Sequence, residues 1–410
     1  MPAICQCLAM PQPLHFTIEH RCSESHARVG HIQTPHGAFD TPAFMPIGTR
    51  GTIRGLTPRQ IRETGSQIVL NNAYHLMLRP GDDLIARMGG VHGFMRWDGP
   101  ILTDSGGYQA YSMSDINSVD DEGVTFRSII DGAEIHLGPE RSMEVQNNLG
   151  ADVIMAFDDC PPSVDPATLN ESRKRLAKRK GEVLTDSRDH HQRLVIANER
   201  TVRWLQRCVA AHSKPHKQAL FGIVQGGTNP DLRRQSVEAI CNIDLPGYAV
   251  GGVAVGESPD QIRSTVEFTV PLLPVEKPRY LMGVGYEQDL VMAIRAGVDM
   301  FDCVLPTRNG RNAGAFTRSG VLRLRNARYA EDDARIEEDC DCHTCQNGFS
   351  RAYLRHLFSS REMLGPILVS IHNIRHYQRL MLDIRKAILE DSWSSLSRDW
   401  PVLDASVSRE

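Results

Sequence analysis

The feature that most constrains this chain is a series of short apolar runs, spaced so that a helix fits between most of them. Eight occur, at 41–49 (TPAFMPIGT), 67–73 (QIVLNNA), 100–106 (PILTDSG), 152–160 (DVIMAFDDC), 219–227 (ALFGIVQGG), 247–256 (GYAVGGVAVG), 279–285 (RYLMGVG) and 300–306 (MFDCVLP). Each ends in glycine or polar residues. Runs without polar alternation suit strands covered on both faces, as in a parallel sheet. Start signals mark the intervening helices. Thr57-Pro58-Arg59-Gln60 and Ser258-Pro259-Asp260-Gln261 each read as a capping box with proline at the first helical position, and Gly65 closes the first helix. Eight strands alternating with helices point to an α/β fold of the (β/α)8 TIM barrel type rather than an open doubly wound sheet. A chain of 410 residues accommodates such a barrel with additions.

Three pieces fall outside the repeat. Residues 15–38 read as a hairpin, and 123–138 as another with Asp131-Gly132 as a two-residue turn. The third, 313–376, contains a cysteine cluster. The expected organisation is an N-terminal hairpin or lid over 1–40, a barrel core over 41–312, and a zinc-binding subdomain over 313–376. A final helix packing on the barrel follows over 377–391, and 392–410 reads as a loose tail. Residues 178–200 read as a polar extension within a helical stretch.

The net charge of −4 does not announce a nucleic-acid partner, but the charge is uneven. Arg173, Lys174, Arg175, Lys178, Arg179 and Lys180 form one basic run, which reads as a solvated helix face. Arg308, Arg311, Arg318, Arg323, Arg325 and Arg328 form another, mixed with glycine and asparagine, which reads as a phosphate-binding loop. No apolar run approaches the ~18 residues a membrane span requires, and the first twenty residues lack the pattern of a signal peptide. The expected setting is a reducing cytoplasm, where clustered cysteines serve metals more readily than disulfides.

Cys340, Cys342 and Cys345 place three thiols within six residues, a loop that lets thiolates converge on Zn²⁺. A fourth ligand is needed: His372, in Ser370-Ile-His-Asn373, is expected to open a helix and is one candidate, with His343, His356 and His376 as rivals. Four protein ligands make a closed, structural site.

In a barrel, reactive residues sit at the carboxyl ends of strands. Those ends hold Asp104, Asp158, Asp159, Gln225, the Gly251-Gly252 pair and Asp302. A single aspartate at a strand end usually caps a helix. The run Asp104-Ser105-Gly106-Gly107-Tyr108-Gln109 says more, because two glycines admit a ligand close to the backbone and a tyrosine offers a face for stacking a base. Asp302, followed by Arg308 and Arg311, sets a carboxylate beside cations, which suits a nucleophile working on a phosphate-clamped sugar.

DSGGYQ, FGIVQGG, GGVAVGE, MGVG, FDCVLPTRNGR and CDCHTC with SIHN, in that order over about 16–389, resemble the tRNA-guanine transglycosylase family. That family replaces guanine at the anticodon wobble position with a 7-deazaguanine, on a β/α barrel with a structural zinc subdomain. The resemblance implies Asp302 as the nucleophile on ribose C1′ and Asp104 as general acid/base. It implies a base pocket of Ser105, Gly106, Gly107, Asp158, Cys160, Gln225 and Gly252, with Tyr108 and Met282 sandwiching the ring. The Val253 carbonyl, oriented with help from Glu257, would accept from an aminomethyl group. RNA would be held by Gly283, Val284, Gly285, Tyr286, Glu287, Gln288 and Asp289, and by Thr307, Arg308, Asn309, Gly310 and Arg311. Cys160 and Val255 resemble the bacterial members, which implies 7-aminomethyl-7-deazaguanine as the incoming base. One Zn²⁺ per subunit, a tRNA with a GUN anticodon and a homodimer are further implications. Asp159 stands where the family has Glu, and Val253 replaces Leu. Two other readings remain open: a non-catalytic zinc-containing tRNA-binding homologue, and a zinc hydrolase on a barrel, which would need metal ligands at strand ends.

Overall fold

Hydrogen bonding between the short apolar segments closes on itself. The computed structural model describes residues 12–113, 117–163 and 190–404. In it, parallel pairing runs Ala43–Met45, Met300–Asp302, Arg279–Leu281, Gly247–Val250, Ala219–Val224, Val153–Met155, Ile101–Thr103, Val69–Asn71, Ile47–Gly48. The first and last segments are halves of one strand interrupted at Pro46, which has no N–H to offer either neighbour. Its carbonyl still accepts from the Leu70 N–H at 3.1 Å. The chain is thus an eight-stranded parallel barrel, and each apolar run supplies one strand.

Successive strand residues enter different cores. Leu70, Leu102, Met155, Ala249, Tyr280 and Met300 fill the barrel interior, while Val69, Ile101, Ile154, Val250, Leu281 and Phe301 pack outward against the helices. With both faces dry, polar alternation would bury unpaired groups, which explains the unbroken apolar runs. Both capping boxes form, Thr57 accepting from the Gln60 N–H and Ser258 from the Gln261 N–H. Among the described residues no helix is long and apolar enough to cross a membrane.

The N-terminal piece is a three-stranded antiparallel sheet, His15–Arg21, Arg28–Thr34 and Gly37–Thr41, and it plugs the barrel rather than lying over the site as a lid. Leu14, Ile32 and Phe39 complete the interior core from the amino-terminal end. Arg28 pins it there, donating to both oxygens of buried Asp299 at 2.8 and 2.6 Å. The second hairpin, Val124–Arg127 with Glu134–Leu137, has a longer turn than the sequence suggested: Ser128 N–H reaches the Ala133 carbonyl, and the Gly132 N–H reaches that of Ser128. Asn117–Val119 adds a third strand.

After the last strand come a helix, Leu305–Arg311, a hairpin, Gly314–Thr317 with Gly320–Arg323, the cysteine region, and one continuous helix, Leu364–Leu389. Three expectations change here. The Thr307–Arg311 stretch is helical rather than a loop, started by Pro306 in its first turn. His372 lies inside the long helix, not at its start, and that helix runs through the boundary drawn at 376. The tail forms Trp393–Asp399 and Pro401–Leu403, burying Trp393, Leu396, Trp400 and Val402, with Trp400 Nε1 donating to Asp383 at 2.9 Å. The basic run 173–180 lies outside the described residues.

Because Arg28 makes the only ion pair to buried Asp299 among the described residues, Arg28→Met should cost about 3–5 kcal/mol. Arg59→Ala, which breaks the exposed pair with Glu63, should cost less than about 1 kcal/mol. Denaturant melts of both variants check this; equal midpoints would contradict the plug.

Candidate active site

Ring closure brings every strand end expected to carry chemistry to one rim. Asp302 is the last residue of its strand and is buried. Its Oδ1 accepts from the Tyr280 hydroxyl at 2.6 Å and the Gly283 N–H at 2.8 Å. Oδ2 accepts from no other residue among those described. Burial raises the pKa of Asp302 above the ordinary carboxylate range, and the two donors oppose that shift. Burial holds the Tyr280 hydroxyl well above its usual pKa, so it stays a donor at neutral pH.

Asp104 follows strand Ile101–Thr103 and accepts from the Asn72 side-chain amide and, at 2.8 Å, from the Ala73 N–H. Burial is the main cause that pushes it up to about 6, and the charge of Asp302 adds to it. Two carboxylates therefore share the rim closely enough to influence one another. Gly106 and Gly107 press on their surroundings: a Cβ on Gly106, at φ +79°, would meet Tyr74, and one on Gly107 would meet Phe157. Tyr108 is 43% exposed.

Asp158 lies beyond Val153–Met155 and accepts from Gln225 Nε2 at 2.6 Å. Burial, with the charges of Asp159 and Asp104, pushes it up to about 7. Burial also raises the Cys160 thiol, leaving it a small neutral group. Gly252 sits at φ +59°, and a Cβ there would stand 2.3 Å from Gln225 Oε1, so a side chain at this position would displace the Gln225 amide. Glu257 accepts from the Val255 N–H at 2.6 Å and from the Ser163 hydroxyl, which ties it to the loop that carries Val253. Asp159 is turned to the helix His190–Ala211, paired with Arg193 and Arg200, both at 2.6 Å.

The segments expected to hold RNA divide by burial. Val284, Gly285, Glu287 and Asp289 are inside, Glu287 bound to His376 Nε2 at 2.9 Å. Thr307 and Gly310 are buried too, and a Cβ on Gly310 would strike Ser370. Gly283, Tyr286, Gln288, Arg308, Asn309 and Arg311 reach the surface. A cavity of about 410 Å³ joins the two segments, with Arg323 and Arg325 on its wall beside Tyr286, Arg308 and Asn309. Burial lowers the pKa of Arg311, and the neighbouring charges of Arg54 and Arg308 lower it further. That crowding of cations marks a place for anions.

Cys340, Cys342 and Cys345 converge on His372, with Sγ to Nδ1 distances of 3.5, 3.5 and 3.4 Å. Tetrahedral zinc with ordinary bond lengths would set sulfur and nitrogen ~3.6 Å apart. His372 Nε2 donates to the Phe316 carbonyl at 2.7 Å, which leaves Nδ1 as the metal-facing nitrogen. The group fits a metal ion, and all four members are buried. The rivals His343 and His356 are exposed, and His376 is engaged by Glu287. His36, His92 and Asp152 also cluster, but the two rings stack at 3.6 Å with planes 16° apart. In-plane lone pairs from stacked rings do not meet on one ion.

Sequence reasoning missed Tyr280, Asn72, Arg54 and Arg233. Tyr280 looks like one more apolar-run residue. Arg233 left a signal, an arginine on the helical stripe with Ser236, Val237 and Ile240.

A family model described as queuine tRNA-ribosyltransferase matches residues 22–401. The chain is 50% identical over 390 residues to a queuine tRNA-ribosyltransferase of Cyanothece sp., covering 95% of this chain and 96% of that one. It is 49% identical over 385 residues to that of Synechococcus elongatus, covering 94% of each. With that of Acetivibrio thermocellus the identity is 49% over 378 residues, 92% of this chain and 94% of the other.

The Cys/His geometry carries its own test. Cys342→Ala should lower bound metal and the thermal midpoint together, because a closed site contributes its binding energy to folding. Full metal content in the variant would contradict the ligand set.

Proposed function

The chain belongs to the queuine tRNA-ribosyltransferase family, and from that premise we propose that it exchanges the wobble guanine of GUN-anticodon tRNAs for 7-aminomethyl-7-deazaguanine through a covalent Asp302–ribose intermediate. As a member it is a tRNA-guanine transglycosylase, a pentosyltransferase of queuosine synthesis. The observation that carries the finer reading is the carboxylate of Asp302, whose Oδ1 is tied by Tyr280 and Gly283 while Oδ2 is left to attack.

Oδ2 forms a bond to ribose C1′ as the bond from C1′ to guanine N9 breaks, and the electron pair leaves with the base. Asp104, whose pKa burial pushes up to about 6, gives its proton to the departing base and, then ionised, takes one from the incoming base. The new base attacks C1′ from the opposite face and releases the Asp302 carboxylate. Two displacements restore the original configuration, as in retaining glycosidases.

Asp158, Gln225 and the Gly252 N–H read the amide edge of the base, with Tyr108 and Met282 on its faces. The Val253 carbonyl takes the aminomethyl group, and Cys160 and Val255 limit its size. Arg308, Asn309 and Arg311 hold RNA phosphates, helped by Arg323 and Arg325 on the cavity wall. The Cys340/Cys342/Cys345/His372 cluster holds Zn²⁺ as a structural ion, away from the strand ends where hydrolytic zinc would sit. The working form is a cytoplasmic homodimer.

Three outcomes follow. Asp302→Asn should form no denaturant-resistant tRNA adduct when wild type does, read on denaturing gels; an undiminished adduct would remove Asp302 as nucleophile. Tight tRNA binding without an adduct in the wild type would instead favour the non-catalytic homologue. Asp158 accepts the base N–H groups only when ionised, and its raised pKa leaves it protonated below about 7. The KM for guanine should therefore fall as pH rises through that value, and a flat profile would contradict the role. Val255→Gly should admit a bulkier 7-substituted base, measured as a gain in kcat/KM of about tenfold.

A further inference from the structure

The base-reading loops are glycine-rich. Gly226 and Gly227 have φ of +130° and +58°, Gly252 has +59°, and even Ala254 has +65°. Such backbone has little conformational preference of its own, yet the proposed recognition depends on the exact direction of the Gly252 N–H and the Gln225 amide. Something outside the loops must hold them.

Resting on the base-exchange reading above, we propose that Arg233 is a positioning residue for base recognition, whose buried guanidinium locks the loop after the fifth strand to the loop after the sixth. Arg233 is 1% exposed and lies on helix Pro230–Cys241. Its hydrogen bonds go to main-chain carbonyls on both loops. Nε donates to Gly227 at 2.7 Å, Nη1 to Gly251 at 2.8 Å and Val224 at 3.2 Å, and Nη2 to Gly252 at 3.0 Å. Burial brings its pKa down to about 10, so it remains a cation at neutral pH.

The effect on recognition follows from peptide geometry. In a planar trans peptide the carbonyl and the next N–H point in opposite directions. Holding the Gly251 carbonyl on Arg233 therefore fixes the Gly252 N–H pointing away from the guanidinium. Holding the Gly252 carbonyl fixes the next plane, which leads into Val253. Gly252 in turn abuts Gln225 Oε1, and Gln225 Nε2 holds Asp158. One side chain thus sets the register of the N–H, amide and carboxylate that read the base. Lysine, with one nitrogen, cannot span four carbonyls in this fork.

Calorimetric guanine binding and the two KM values test the clamp together. Arg233→Lys should bind guanine about tenfold more weakly and raise the KM for guanine to match, while the KM for tRNA stays within about twofold. In Arg233→Ala, millimolar guanidinium should restore part of the guanine affinity, and methylammonium should not. Wild-type guanine affinity in the lysine variant would overturn the proposal. So would parallel rises in both KM values, or failure of both variants to fold, since either makes Arg233 a purely structural residue. A wild type that binds guanine without exchanging it would refute the exchange reading alone; one that binds no guanine would refute both.

Discussion

Closure of the parallel ring is the constraint on which everything else depends. Each strand is hydrogen-bonded on both edges and buried on both faces, so most side chains along its length are apolar, and a polar one such as Tyr280 must find a partner inside. Chemistry is displaced to the carboxyl ends, where the chain leaves the ring. The amino-terminal sheet closes the opposite end and holds it with the Arg28–Asp299 pair. The site thereby opens in one direction only.

That arrangement concentrates negative charge. Asp104, Asp158 and Asp302 are buried at one rim, and each has a raised pKa mainly because burial disfavours its charged form. Their hydrogen bonds differentiate them. Asp302 has two donors on one oxygen, Asp104 has a side-chain and a main-chain donor, and Asp158 shares Gln225. Carboxylates held in distinct environments can divide nucleophilic, proton-transfer and recognition roles. The cationic groups Arg54, Arg308 and Arg311 sit where an incoming polyanion would relieve their mutual repulsion.

Much of the fold was legible because burial on both faces writes itself as unbroken apolar runs, and because capping boxes are local. What was not legible depends on tertiary contacts. The break at Pro46 and the side on which the first sheet packs are decided by ring closure. The last segment read as a loose tail, although Trp393, Leu396 and Trp400 recur at helical spacing and bury themselves. Spacing marked three metal-facing thiols but left four histidines open; the family resemblance favoured His372, and folding brings it to them. Tyr280 and Arg233 were hidden because their partners, Asp302 and loop carbonyls, are close only in the folded chain.

The measurement that bears most directly on the central claim is incorporation of labelled guanine into unmodified tRNA with a GUN anticodon, set against a tRNA whose wobble base is not guanine. Label entering the first tRNA alone, at that one position, is the expected result. No incorporation by a folded, metal-loaded protein would contradict base exchange as its function.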